Sequence, residues 1–218
     1  MNRTYSIAIV AASLVVASSV ASCSGTPDIT FGSPITTGAP ISVPAGEVPF
    51  SQWPDTCTLL TDQEITAILP QATDITRKPK KITLLGRLGT VNPDLSVSGG
   101  SSGGVLPKGT CAYSFTLPNE HDLKGLTFLE VSLPAISTPA TIAQYYDEQL
   151  STHGKHLDVG SAWGPQRCDV RTESVIEAVC QSGRFYFEIS TEAERTSNDD
   201  WREKVLKPAV QTLSTHLR

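Results

Sequence analysis

The chain offers few residue patterns with chemical potential. Gly99-Gly100-Ser101-Ser102-Gly103 matches G-x-S-x-G, the nucleophile elbow of α/β-hydrolases. That elbow needs a buried strand before the serine and a helix after it. Here "NPDLSVS" precedes and "GVLPKGTC" follows, so the stretch reads as a flexible loop. His153 and His156 stand three apart, but Gly154 between them breaks the helix that would align them on a metal. His121 and Asp122 are neighbours in a turn-forming stretch and do not converge on one site, and His216 sits close to a frayed end. There is no phosphate loop and no dinucleotide fingerprint. The sequence therefore assigns no catalytic residue, no metal site and no cofactor.

The cysteines are more informative. There are five, an odd number, at positions 23, 57, 111, 168 and 180. Before Cys23 the chain reads "MNRTYS", with one basic residue, then the apolar run "IAIVAASLVVASSVA". A short basic start and an apolar run of this length form a secretory signal, too short for a comfortable membrane span. It closes on Val20-Ala21-Ser22-Cys23, which resembles the bacterial lipobox: an aliphatic residue, two small residues, then the cysteine that is lipidated. Cys23 is thus expected to carry the membrane anchor. The other four cysteines, in an oxidising compartment, are expected to form two disulfides.

Cleavage before Cys23 would leave residues 23–218. It removes a single charge, Arg3, so the formal net charge moves from −5 to −6. A mildly acidic chain without a basic patch excludes nucleic acid as the expected partner. "TRKPKK" (76–81) holds four basic residues in six but no amphipathic helix, and reads as a solvated edge rather than a site for anionic polymer. The expected organisation is a signal peptide over 1–22, a lipidated cysteine and Pro/Thr/Gly-rich disordered tether over 23–52, and one globular domain over 53–218. The tether's apolar residues (Ile29, Phe31, Ile35, Ile41, Val43) show no periodicity.

Thr61-Asp62-Gln63-Glu64 is a capping-box pattern. It opens a short helix carrying Ile65, Ile68 and Leu69 on one face, ended by Pro70. "KKITLLGRLG" (80–89) is a strand candidate, and 92–109 reads as a loop. "CAYSFTLP" (111–118) alternates Cys111, Tyr113, Phe115 and Leu117 on one face. With "LTFLEVSLPAI" (126–136) it should form a hairpin through the polar turn 118–125. Pro139 starts a helix bearing Ile142, Tyr145, Tyr146, Gln149 and Leu150, which Gly154 ends. "VIEAVCQ" (175–181) and "RFYFEIS" (184–190) form a hairpin about Ser182-Gly183. A last helix repeats Trp201, Val205, Ala209, Leu213 and Leu217 four apart, with Pro208 expected to kink or split it. Hairpins outnumber crossovers, so the fold class is α+β: an antiparallel sheet with helices mainly on one face. In "RFYFEI", Phe185 and Phe187 share a face, leaving Arg184, Tyr186 and Glu188 on the other. If no helix covers that face, these three line a groove and are the candidate binding surface.

"PDTCTLLTDQEITAIL", "CAYSF" and a later cysteine-bearing hairpin resemble the actinobacterial lipoproteins of domain of unknown function 3558. The residues carrying the resemblance are Cys57, Leu59, Leu60, Thr61, Glu64, Cys111 and Tyr113. The layout is also similar to the extracellular sensor domain of the mycobacterial kinase PknH. The resemblance implies an α+β sandwich with a cleft, and two sequential disulfides, Cys57–Cys111 and Cys168–Cys180. It supplies no catalytic residue.

The expected function is a lipid-anchored domain on the extracytoplasmic face of the cell membrane, non-catalytic, binding an envelope protein or a small-molecule ligand as a sensor or accessory. Two alternatives stay open. One is an envelope hydrolase or transferase whose site residues carry no recognisable motif. The other is a lipid carrier with a large apolar cavity between sheet and helices.

Overall fold

The computed structural model describes residues 28–45, 48–84, 104–118, 127–152, 155–172, 175–192 and 197–218. The signal segment, Cys23, the serine run 99–103, the pair 121–122 and His153-Gly154 lie outside these residues.

Helix α1 (Asp62–Ile68) begins with the expected capping box. Thr61 accepts from the Glu64 amide, and the Glu64 carboxylate accepts from the Thr61 amide. Strands β1 (Thr73–Leu84), β2 (Gly104–Thr116) and β3 (Phe128–Ile136) form an antiparallel meander. Helix α2 (Pro139–Thr152) then crosses to the far edge of the sheet, where β4 (Leu157–Asp158), β5 (Arg167–Arg171), β6 (Ile176–Ser182) and β7 (Phe185–Glu192) wind back to the centre. The result is one seven-stranded antiparallel sheet in the order β1-β2-β3-β7-β6-β5-β4. The fold class is α+β, as expected.

The β6–β7 turn is Gly183-Arg184, one residue later than the sequence reading, because Ser182 pairs with Phe185. Gly183 takes φ +56°, as the first central position of such a turn requires. β2 starts seven residues before Cys111 and takes in 104–109, read from sequence as loop. Its partner β1 is an edge strand. Pro79 and exposed Lys78 and Lys81 blunt that edge, and Lys80 pairs with Glu130.

The C-terminal helix runs as α3 (Asn198–Trp201), a π-helical stretch over Arg202–Leu206, and α4 (Lys207–His216). Pro208 stands where the run passes from the π stretch into α4, in the first turn of α4, so the helix is divided there into differently wound parts. The π stretch has a second effect. Residues four apart drift about 40° per step around an α-helix. The wider turn takes back part of that drift and keeps Trp201, Val205, Ala209, Leu213 and Leu217 all fully buried.

Strand alternation decides what each face meets. Cys111, Tyr113, Phe115, Leu129, Val131, Phe185, Phe187 and Ile189 form the core face, toward the C-terminal helix. Trp201 seals it, its Nε1–H donating to Thr191 Oγ1 at 2.7 Å. Tyr113 reaches under α1, donating to the Thr56 carbonyl at 2.6 Å. α2 covers the other face, with Tyr145 and Tyr146 on β7. Both expected disulfides are present. Cys57–Cys111 ties the segment before α1 to β2, and Cys168–Cys180 joins residues directly opposite on β5 and β6.

Residues 28–45 contain no helix or strand, yet over this span the leader is a docked strap. The correction comes from backbone pairing that composition does not reveal. The Gly32 amide donates to the Ile68 carbonyl, and the Ile41 amide to the His216 carbonyl. Ile29, Phe31, Ile41 and Val43 pack on the core. The first helical turn is Phe50–Gln52, while packing on the core begins at Ile29.

Candidate functional site

Arg184, Tyr186 and Glu188 do not line an open groove. α2 leaves β3 and crosses over β7 and β6 to reach the edge, so it covers this face. Tyr186 is fully buried, edge-on to Tyr145 at 4.9 Å and to Tyr146 at 6.1 Å. Arg184 is a clasp: its Nε–H donates to the Ser137 carbonyl at 3.0 Å, and its guanidinium also reaches the Pro44 carbonyl of the strap.

Glu188 is half-buried beside them and carries the face's unusual chemistry. Burial, and then the like charge of Glu177, push its carboxyl up to about 7. The Tyr186 hydroxyl, donating at 3.0 Å, and Arg171 oppose that shift without cancelling it. Arg171 pairs with Glu177 at 3.0 Å, and its Nε and Nη2 are buried without a protein hydrogen-bond partner. Further along, Asp169 accepts from the Tyr146 hydroxyl and faces His156 Nε2 at 3.4 Å. Among the described residues no three His, Cys, Asp or Glu side chains converge as a metal site would require.

A cleft lies elsewhere among the described residues. It encloses about 720 Å³ and is bounded by the strap at Pro34 and Thr36, the β6–β7 turn, the 164–166 segment and α4. It falls in the size range of small-molecule sites. Its lining mixes the hydroxyls and amides of Thr36, Gln166, Ser182, Gln211, Ser214 and Thr215 with a somewhat larger share of apolar surface, and Arg218 stands at the margin. Several of these hydroxyls already donate inward. Ser182 donates to the Leu217 carbonyl, Ser214 to Gln211 and Thr215 to Thr212, at 2.6–2.9 Å. Thr215 also accepts from the Thr36 hydroxyl at 3.0 Å, so these hydroxyls are tied to the protein, while Gln211 and Arg218 bring donors to the opening. Gly164, at φ +104°, permits this packing; a Cβ there would come 2.7 Å from Ser214 Oγ.

One group missed by sequence reading forms the floor on which the strap rests. Glu64 and His216 are both buried, 2.8 Å apart. Burial alone would push the Glu64 carboxyl up. The amides of Thr61, Thr37 and Gly38 and the His216 side chain outweigh it and hold the carboxyl below its ordinary value. The sequence marked Glu64 as a capping residue. Nothing in it marked His216 as its partner, because the two meet only through tertiary packing.

Comparison with family models, with curated proteins and with solved structures finds no match to this chain.

Proposed function

We propose that this protein is a lipoprotein held by Cys23 on the outer face of an actinobacterial cell membrane, and that its domain is a non-catalytic module binding a ligand in the cleft beside the C-terminal helix. The observation that carries the anchor is cysteine arithmetic. Four of the five cysteines are used in the two disulfides, and the one left over stands at the lipobox position. Two disulfides also fit an exported protein. The resemblance to domain of unknown function 3558 points the same way.

The hydroxyls and amides that share the lining with apolar surface suit a small ligand of the envelope that bears both polar and apolar groups. The carboxyl with the raised ionisation, Glu188, lies under α2, on the sheet face opposite the C-terminal helix that borders the cleft. A binding role therefore accounts for the cleft better than a hydrolase or transferase.

The test is Cys23→Ala in an actinobacterial host, followed by membrane fractionation and mass measurement. The variant should leave the membrane or remain uncleaved. A variant that stays membrane-bound at the mature mass would sink the anchor.

A further inference from the structure

The docked strap changes what a lipid on Cys23 would do. We infer that the domain does not ride on a long leash but is held against the bilayer in a fixed orientation, with the face around Asp28, Pro70, Gln71 and Lys204 toward the lipid headgroups. This rests on the anchor reading above.

The argument is one of chain length. Were residues 24–52 a free tether, thirty residues would let the domain range roughly 100 Å from the lipidated cysteine. The strap removes most of that length. Its first fixed points are Thr30, whose amide donates to Gln71 Oε1 at 2.7 Å, and Gly32, whose amide donates to the Ile68 carbonyl at 2.9 Å. Phe31 between them packs edge-on against buried Trp201, with centroids 6.1 Å apart. Only five peptide links join Cys23 to Asp28, which reach roughly 17 Å when fully extended. That is less than the thickness of a small domain. The end of the domain where the strap begins must therefore stay near the membrane surface.

Three observations fix which end that is. Gly32 lies against Ala67 and Pro70 at the end of α1, and a Cβ there would come 2.0 Å from the Ala67 carbonyl oxygen. The Lys204 ammonium sits 5.2 Å over the Phe31 ring. The strap's other end reaches Arg184 at the β6–β7 turn, through the Pro44 carbonyl. So the end of α1 and the middle of the C-terminal helix are membrane-proximal, and the β6–β7 turn is the more distant landmark. The proximal face carries both signs, with Lys204 paired to Asp200 at 2.7 Å. It is kept near the headgroups by the short leash and needs no lipid affinity of its own.

The full lipidated chain, made in an actinobacterial host, would be placed in nanodiscs containing a gadolinium-chelating headgroup lipid. Relaxation enhancement of backbone amides reads distance to the headgroups. Thr30, Gln71 and Lys204 should be broadened most, and Gly183 and Arg184 least. Ten Gly/Ser residues inserted between Cys23 and Asp28 add a mean reach of roughly 18 Å and should weaken the enhancement at Gln71 about tenfold. The insertion precedes Asp28 and leaves every strap contact named above in place. Uniform or absent broadening on a disc-bound chain overturns the fixed orientation. Unchanged broadening after the insertion overturns the leash as its cause. Failure of the anchor itself reads differently: the Cys23→Ala chain would remain on the discs, or the native chain would not load.

Discussion

Glu64 Oε1 and His216 Nε2 are 2.8 Å apart across 152 residues of sequence, and the strap is tied to both. Glu64 takes the Thr37 and Gly38 amides at 2.8 and 3.1 Å, while the His216 carbonyl takes the Ile41 amide at 2.8 Å. The pair joins α1, the C-terminal helix and the leader into one unit. Glu64→Gln removes the charge that four donors share. It should cost on the order of 2–4 kcal/mol, since bonds to a buried charge are the strong ones. Hydrogen exchange at Thr37, Gly38 and Ile41 should rise together. Rapid exchange at Thr37 alone would show that the strap is held piecewise.

The depressed ionisation of Glu64 has a pH signature. Stability it contributes is present above the ordinary carboxylate value of 4.5 and is lost as pH falls through the lower folded value. Trypsin and chymotrypsin lack suitable sites or conditions there, so pepsin is the probe. Cleavage beside Phe31 should accelerate as pH falls below the ordinary carboxylate range and the Glu64 carboxyl takes up its proton. A rate that does not change with pH beyond pepsin's own profile on an unfolded peptide would exclude Glu64 as the latch.

The disulfides close loops of different size, with sequence separations of 54 and 12. Chain entropy assigns about 4 kcal/mol to the first and about 3 to the second. Cys57→Ala with Cys111→Ala should therefore lower Tm more than Cys168→Ala with Cys180→Ala, and full reduction should lower it most. Verified reduction with an unchanged melting curve would mean that neither bond stabilises the domain.

Elements whose own residues carry the signal were legible in the sequence. The Thr61–Glu64 cap, the Cys111–Leu117 alternation and the row from Trp201 to Leu217 all sit where the pattern places them. β5 was missed because "RCDVR" is five residues, mostly polar, and is a strand only through its pairing with β6. The strap was missed because its hydrogen bonds go to α1 and His216 and leave no period behind. The candidate surface on Tyr186 had the right face but the wrong cover, since α2's crossing follows from strand order, which hairpin signals alone do not fix.

Glu188 gives the opposite pH signature to Glu64. The folded protein keeps a proton on it that the unfolded chain releases between 4.5 and about 7, so its contribution makes stability fall as pH rises through that window. Glu188→Gln keeps a partner for the Tyr186 hydroxyl without the charge. The variant should exceed the native protein at pH 8 by about 3 kcal/mol and match it near pH 4. Denaturant melts at both pH values would decide it. Equal gains at pH 4 and 8 would mean that the residue acts through packing and not through its proton.

The cleft is tested by filling it. Gln211 lies on its wall and is only half-buried, so Gln211→Trp places a large ring in the opening without disturbing the core face of the C-terminal helix. The domain would be secreted from an actinobacterial host and weighed by native and denaturing mass spectrometry. The native protein should carry extra mass that is absent under denaturing conditions. The variant should lose that mass while its Tm moves by less than about 2 °C, because surface changes away from packed features stay within about 0.5 kcal/mol. Adduct retained on the variant would move the ligand out of this cleft. A bare native protein would instead assign the domain to a protein partner, sought next by crosslinking in the intact envelope.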